Sequence, residues 1–207
     1  MPIGDVFEAV VEYRIADIAR IVQTEIEAGG GVDRVLNEGL IAAMSEVGRR
    51  FSEGSIFVPE MLFAAKVMQK GLEVLKPMIA KEGVKTKGKI IIGTVFGDLH
   101  DIGKNLVIMM LEGNGFQVVD LGINVEKHKF VDAVREHNTK IVGLSALLTT
   151  TLPALQETVV LLKREVPGVR VMVGGAPVTQ SFADKIGADG YGPNAPSAVA
   201  LANGFSA

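Results

Sequence analysis

The chain has 207 residues, enough for one or two domains with a substantial hydrophobic core. Its 21 Lys and Arg against 24 Asp and Glu give a formal net charge of −3, which argues against nucleic acid or an anionic membrane as the main partner. Because the chain contains no Cys, it can have no disulfide, thiolate metal site, iron–sulfur cluster or Cys nucleophile. Hydrophobic residues make up 48% of the chain, a fraction that excludes a disordered protein.

The first residues carry acidic side chains early and lack the basic-then-apolar pattern of a signal peptide. The uncharged, largely apolar run over residues 141–156 has 16 residues and includes a proline, so it is too short to span a bilayer. We therefore expect a soluble, cytoplasmic protein.

Apolar residues recur at helical spacing from the N-terminus to about residue 80. The stripes predict two helices, the second of which ends at the glycines 29–31. Asp33 is expected to be the N-cap of a third helix that continues to Phe51. Pro59 suits the first turn of a fourth helix. Four helices with short connections predict a small four-helix bundle, which we assign to residues 1–84.

A second type of pattern begins after residues 83–88, a charged segment bounded by glycines that we interpret as a linker. Short runs rich in Ile and Val then alternate with helical stretches. Strands are predicted over residues 89–95, 116–121, 141–144, 169–173 and 188–191. Helices are predicted over residues 104–112, 126–137, 152–166, 178–186 and 195–202. Residues 88–207 are therefore expected to form an α/β domain, a flavodoxin-like (Rossmann-type), doubly wound sheet of five parallel strands.

Sheets of this class bind ligands at the carboxyl ends of their strands. The loop after the first strand contains Asp98, His100 and Gly103. A carboxylate beside an imidazole is the usual arrangement for a metal-ligating His, because it accepts from one ring nitrogen and leaves the other for the metal. The alternative interpretation is a His that caps the following helix. No further ligand lies at a spacing from His100 that would make a zinc site.

Two more loops offer groups suited to a cleft. Ser145, Thr149 and Thr151 follow the third strand, where their hydroxyls either line the cleft or cap the next helix. Gly174 and Gly175 follow the fourth strand, where they either let a large ligand approach the backbone or form a tight strand-to-helix turn. Elsewhere, two His in the charged helix predicted over 126–137 are interpreted as surface residues.

The three loops together resemble the signature of the base-off, His-on cobalamin-binding family. The matching elements are Asp-x-His-x-x-Gly over residues 98–103, Ser-x-Leu over residues 145–147 and Gly-Gly at residues 174–175. Residues 53–61 of the helical half also resemble the methylcobalamin branch of that family. The chain is similar to the small corrinoid proteins of methylamine, methanol and methoxyaromatic methyltransferase systems, and to the cobalamin module of methionine synthase.

The resemblance implies a role for each matching residue. His100 would be the lower axial ligand of cobalt, Asp98 its hydrogen-bond partner, and Thr151 a further hydroxyl of the relay at a position where relatives can carry Ser. Phe51 and Val58 would lie over the upper corrin face, although simple packing within the bundle also accounts for them. The other cofactor-binding residues implied are Gly103, Ser145, Leu147, Thr149, Gly174, Gly175 and Ala195.

The function implied by the resemblance is that of a corrinoid methyl carrier, a non-catalytic subunit that shuttles a methyl group through the Co(I) and methyl-Co(III) states of cobalamin. Its partners would be a substrate-specific corrinoid methyltransferase, an acceptor methyltransferase and a reductive activator protein. Two alternatives remain open. A cobalamin-dependent light sensor or regulator would usually add a basic DNA-binding segment. The small subunit of an adenosylcobalamin mutase would not need Phe51 and Val58 on a helical lid.

Overall fold

The computed structural model describes residues 3–82 and 86–206. Contacts between Cα atoms divide the chain into two compact units. The first consists of Met1–Thr86 and Gly113–Gly115, and the second of Lys87–Glu112 and Phe116–Ala207. The predicted linker over residues 83–88 falls partly outside the described residues, which omit 83–85.

The first unit is helical, as the apolar spacing predicts. Its elements are α1 (Gly4–Val11), α2 (Ile18–Glu27), α3 (Val32–Arg34), a π-helical stretch (Val35–Ile41), α4 (Ala42–Ser52) and α5 (Val58–Glu82). The third predicted helix is thus one continuous helical segment with a wider turn in its middle. Each of the four segments buries an apolar stripe. Members of these stripes include Val6, Val10, Ile18, Val22, Leu40, Met44, Val47, Met61 and Met68.

The start of the third helix differs from its prediction. Gly31, with a φ of 57°, occupies the N-cap position, and Asp33 lies inside the first turn. The Asp33 carboxylate accepts a hydrogen bond from Asn37 Nδ2 at 3.0 Å. The prediction that Asp33 is the N-cap is therefore wrong, because a glycine in the left-handed region makes the turn into the helix. Pro59 lies in the first turn of α5, where its missing N–H leaves no helical hydrogen bond unmade.

The second unit contains one five-stranded parallel sheet with the order β2-β1-β3-β4-β5. Its strands are β1 (Lys89–Thr94), β2 (Gln117–Asp120), β3 (Ile141–Ser145), β4 (Arg170–Gly174) and β5 (Gly190–Tyr191). The connecting and final helices are α6 (Ile102–Gly113), α7 (Lys127–Glu136), α8 (Leu152–Glu165), α9 (Gln180–Ile186) and α10 (Ala195–Ser206). This order is the flavodoxin-like one, so the predicted fold class is confirmed.

The direction of winding reverses between β1 and β3, which places a crevice between the loops that leave these two strands. Strands β1, β3 and β4 are buried along most of their length, which explains their nearly continuous apolar runs. Among residues 3–82 and 86–206, no helix is both long and apolar enough to cross a bilayer.

An ion cluster holds the edge strand β5 against the sheet. Asp189 Oδ2 accepts from the Val171 N–H at 2.6 Å and from the Lys163 ammonium, and Asp189 Oδ1 lies 3.3 Å from Arg170 Nη1. Burial raises the pKa of the Asp189 carboxyl, but Lys163, the Val171 N–H and Arg170 outweigh it and hold that pKa below its ordinary value. The ionised carboxylate therefore stabilises the connection from α9 to β5.

We expect Asp189→Asn to reduce the free energy of unfolding by about 2 kcal/mol at neutral pH, because an amide cannot replace these charge-assisted hydrogen bonds. The pKa of Asp189 in the folded state lies below the unfolded value of 3.8, so this stabilisation is complete above that pH and is lost as the pH falls through the folded value. Urea denaturation of wild type and variant at neutral pH and at about pH 3 measures the difference, which should be smaller in acid. The exposed Asp132→Asn is the control, and an equal Asp189 effect at both pH values would contradict the assignment.

Candidate functional site

The three loops that carry the sequence motifs leave the sheet side by side. Thr94, Ser145 and Gly174, the last residues of β1, β3 and β4, are register partners of one another across the sheet. Neighbouring strands lie about 4.8 Å apart, so the loops begin within about 10 Å of each other. The parallel register thus brings together motifs that are far apart in the sequence.

Asp98 and His100 form a close pair in the loop between β1 and α6. His100 Nδ1 lies 2.7 Å from Asp98 Oδ1, which also accepts from the His100 N–H at 3.1 Å. The Asp98 side chain is completely buried, whereas 50% of the His100 side chain is exposed. The imidazole is therefore held from below by a buried carboxylate while the rest of its ring faces outward.

The second oxygen of Asp98 reaches the loop after β3. Asp98 Oδ2 accepts from the Leu147 N–H at 2.7 Å, the Leu148 N–H at 3.2 Å and the Thr151 hydroxyl at 2.8 Å. The carboxylate thus joins the loops that flank the crevice.

The number of donors around Asp98 sets its charge. Burial raises the pKa of the carboxyl, but the hydrogen bonds from Leu147, His100 and Thr151 outweigh burial and hold that pKa well below its usual range. An ionised carboxylate can only accept, so it binds the His100 Nδ1–H. In the neutral imidazole this leaves the lone pair on Nε2, and no group of the described residues hydrogen-bonds to that nitrogen. The pair therefore presents an outward nitrogen donor, as a metal-ligating His does.

The hydroxyls at the end of β3 and in the loop after it differ in burial and in hydrogen-bond partners. Thr151 is buried and precedes α8, but its side chain makes no capping hydrogen bond, so the capping alternative is wrong for this residue. Ser145 is half-buried at the end of β3, and Thr149 is exposed at the start of a short 3₁₀ turn. Of these three hydroxyls, only that of Thr151 contacts Asp98 among the described residues.

Gly174 and Gly175 allow backbones to approach each other closely. A Cβ at Gly175 would lie 1.8 Å from the carbonyl oxygen of Ala146, and φ there is +122°. A Cβ at Gly174 would lie 2.8 Å from the carbonyl oxygen of Gly192. The turn after β4 therefore requires glycine for contacts within the protein, in agreement with the tight-turn alternative.

The remaining predicted residues lie at different places. Gly103 is exposed in the first turn of α6, and Ala195 is buried at the start of α10. In the helical unit, Phe51 is half-buried in α4 and Val58 is exposed at the start of α5.

Exposed apolar side chains are frequent at this edge of the sheet. Large hydrophobic side chains are exposed in the loops after β1, β2 and β3 and at the first residue of α6, and we call these residues the apolar rim. They are Phe96, Leu99, Ile102, Ile123, Leu147 and Leu148. Apolar groups that a soluble protein exposes together around a polar group are typical of a ligand surface.

Three residues in or near this loop have contacts that the sequence did not indicate. The buried Thr94 hydroxyl donates to the His100 carbonyl at 2.9 Å, and Asn124 contacts the loop from the far side of β1. Lys104 is buried in α6, where its ammonium donates to both carboxylate oxygens of Asp120 at 2.8 and 2.7 Å. The positive φ of Asn124, which favours Asn, is the only one of these features that a sequence could signal.

Residues 88–200 match the family described as B12 binding domain, and residues 3–76 match a second family of the same description. Dimethylamine corrinoid protein 1 of Methanosarcina acetivorans is 46% identical over 181 residues, which cover 85% of this chain and 85% of that protein. The chain belongs to the B12-binding corrinoid proteins. The predicted cofactor, cobalamin, and the predicted family are therefore confirmed.

Solved structures of this family share the fold. A cobalamin-binding protein from Desulfitobacterium hafniense has a TM-score of 0.82 and 34% identity, covering 99% of this chain and 98% of that one. A chain of the methanol:cobalamin methyltransferase complex from Methanosarcina barkeri has a TM-score of 0.86 and 32% identity, covering 99% of this chain and 79% of that one. This chain is accordingly a corrinoid protein of the kind found in methyltransferase systems.

The residues at the sheet edge fit a corrinoid. A corrin ring brings most of the ligands of its own cobalt, so the protein would need to offer only one nitrogen, and His100 Nε2, on a half-exposed side chain, has no hydrogen-bond partner among the described residues. Among the residues that the structure describes, no three His, Asp or Glu side chains form a cluster that could hold an ion. The apolar rim matches the large hydrophobic surface of the macrocycle.

We expect Gly175→Ala to reduce the free energy of unfolding by about 3 kcal/mol or more, because the new Cβ overlaps the Ala146 carbonyl and the left-handed φ adds strain. Gly103→Ala is the matched control, since nothing lies within 4 Å of its Cβ and Ala favours a helix over Gly by up to about 1 kcal/mol. Thermal and urea denaturation of the cobalamin-free proteins measures both. Equal stability of the two variants would show that the close approach is not a constraint.

Thr151→Val should reduce the free energy of unfolding by about 1–2 kcal/mol, because Asp98 Oδ2 loses a hydroxyl donor while the volume of the side chain is kept. Thr151→Ser keeps the donor and should stay within about 0.5 kcal/mol of the wild type. Urea denaturation without cobalamin gives both values. If valine and serine have the same effect, the Thr151 hydroxyl does not stabilise the Asp98 carboxylate.

Proposed function

We propose that this protein is a corrinoid methyl carrier that binds cobalamin in the base-off, His-on form with His100 as the lower axial ligand. The observation that carries the proposal is the pair of His100 and the buried Asp98, which leaves His100 Nε2 directed outward from the carboxyl edge of the sheet. The bound corrinoid supplies a cobalt centre that takes up and releases a methyl group. The chain itself binds, orients and shields that centre, so we describe it as a carrier subunit that needs partner enzymes.

The contacts of Asp98 explain how His100 would be prepared for this role. The carboxylate holds the Nδ1–H of the ring, and its other oxygen is held by two backbone N–H groups and the Thr151 hydroxyl. The ring orientation therefore depends on a group that is itself fixed by these three contacts and by the His100 N–H, which donates to the first oxygen. A nitrogen donor positioned in advance binds a metal without the entropy cost of ordering the side chain first.

We propose roles for the other residues of the predicted site from their positions in the fold. We assign the nucleotide tail to a pocket next to Ser145, Leu147, Thr149, Gly174, Gly175 and Ala195. Gly103 lies exposed beside His100 in sequence and leaves room for the corrin ring, because nothing lies within 4 Å of its Cβ position. Phe51 and Val58 of the helical unit are proposed to cover the upper corrin face, with that unit acting as a helical cap domain.

The proposed partners are a substrate-specific corrinoid methyltransferase, an acceptor methyltransferase and a reductive activator protein. The support for the first is that the relative described above is a dimethylamine corrinoid protein and that a structural neighbour belongs to a methanol:cobalamin methyltransferase complex. Both substrates carry a methyl group on nitrogen or oxygen. We therefore propose a small methylated amine or alcohol as the methyl source, and the cytoplasm as the place of action.

The test of the proposed ligation is His100→Ala. Wild-type protein loaded with cobalamin and reduced to the cob(II) state should give an electron paramagnetic resonance spectrum in which one axial nitrogen splits each high-field cobalt line. His100→Ala should lose this splitting, because the described loop offers no other imidazole. His137→Ala, which changes a His at the carboxyl end of α7, is the control and should keep the splitting.

Retention of the nitrogen splitting by His100→Ala would contradict the assignment of the ligand. Light-dependent changes of oligomeric state with adenosylcobalamin, or radical rearrangement activity after addition of a barrel subunit, would instead favour a light sensor or a mutase subunit. Methyl transfer to and from partner methyltransferases would favour the carrier.

A further inference from the structure

We propose that Asn124 is a positioning residue for His100, which extends the proposed ligation to a loop outside the family motifs. Asn124 follows β2, and its backbone has a φ of 53°. Its side-chain Oδ1 accepts from the Gly97 N–H at 2.8 Å, and its own N–H donates to the Asp98 carbonyl at 2.9 Å. One residue thus binds the His100 loop at two successive points.

The contacts on either side of Asn124 keep it in register with the loop. The Thr94 N–H donates to the Gly122 carbonyl, and the Val125 N–H donates to the Thr94 carbonyl, each at 3.0 Å. Val95 and Val125 also form an isolated parallel bridge. The loop after β2 is therefore an extension of the β1–β2 pairing, and Asn124 is the residue at which it reaches over Gly97 and Asp98.

The combined contacts fix the peptide that carries His100 at three places. Asn124 holds the backbone at Gly97 and at the Asp98 carbonyl, and the Thr94 hydroxyl holds the His100 carbonyl. Gly97 itself has a φ of +83°, so without the amide of Asn124 this glycine would be free to adopt other conformations. Because Asp98 Oδ1 must meet His100 Nδ1, any change of the backbone at 97–98 also turns the imidazole.

A role in packing does not explain Asn124. Its side chain is exposed, so truncation leaves no cavity in the core. The left-handed φ is a conformation that Asn and Gly accept more readily than other residues. The side-chain oxygen is what distinguishes Asn from Gly at this position, and it accepts the hydrogen bond from the Gly97 N–H.

The chain offers matched variants. Asn124→Gly keeps the left-handed backbone and removes the oxygen, whereas Asn124→Asp keeps an oxygen acceptor for the Gly97 N–H. Asn138→Gly is the control, because Asn138 is also exposed, has a φ of 47°, and lies after α7, away from the His100 loop in the sequence.

Two measurements report separately on the Asn124–Gly97 hydrogen bond and on the binding of His100 to cobalt. Hydrogen exchange of the Gly97 amide in the cobalamin-free protein reports the contact itself. Cyanide titration of the cyanocobalamin-loaded protein, followed by absorbance, reports how strongly His100 is bound to cobalt, because cyanide displaces the lower ligand. Asn124→Gly should speed the exchange of Gly97 about five-fold and lower the cyanide midpoint about five-fold, the effect of losing one neutral hydrogen bond. Asn124→Asp and Asn138→Gly should stay within about two-fold of the wild type in both.

Three results would overturn the inference. They are an unchanged cyanide midpoint in Asn124→Gly, an equal fall in Asn124→Asp, and an equal fall in Asn138→Gly. If His100→Ala titrates with cyanide as the wild type does, His100 is not the ligand, and the proposed function fails together with this inference. The exchange of Gly97 separates this case from the others, since it reports the Asn124 contact without any cofactor.

Discussion

The buried carboxylate of Asp98 is the group on which the rest of the site depends. It is completely buried, and a charge in that position is tolerated only because five donors from two loops surround it. Those donors hold the pKa of Asp98 well below its usual range, which makes the group a pure acceptor. As a pure acceptor it sets the tautomer of His100, and the tautomer decides which ring nitrogen is offered outward. A single electrostatic requirement thus connects the packing of the two loops to the ring nitrogen that we propose as the metal ligand.

The sheet provides the geometry in which those donors converge. Thr94, Ser145 and Gly174 are aligned at the carboxyl ends of β1, β3 and β4, and the winding reverses between β1 and β3. Gly175 lets the turn after β4 lie directly against the Ala146 carbonyl, so this turn contacts the start of the loop that donates to Asp98. Because the strands and the loops are both held in place, a single imidazole can keep the orientation needed for a metal before the metal binds.

Much of this arrangement is encoded locally and could be predicted. Runs of Ile and Val between helical stretches indicated the doubly wound sheet, and the boundaries of its strands were close to those observed, as with β4 at Arg170–Gly174 against a predicted 169–173. The pair of Asp98 and His100 was predictable because the two residues are close in the sequence and their chemistry is specific. Asp33 does not occupy the N-cap position that its side chain favours, because the positive φ of the turn into the helix is readily adopted by Gly31.

The fold class, the cobalamin signature and the residue that we propose as the metal ligand are predictable from the amino-acid sequence, since each follows from short-range periodicity or from a motif of fixed spacing. The contacts that hold this residue in place are not, because they join segments that are distant in the chain. The resemblance implies Thr151 as the further hydroxyl of the relay, and the parallel register is what brings this hydroxyl to Asp98 Oδ2. Asn124 and Thr94 belong to no motif, because their hydrogen-bond partners are backbone groups. Every residue except proline has the same backbone N–H and C=O groups, so such a bond does not constrain the residue type of the partner.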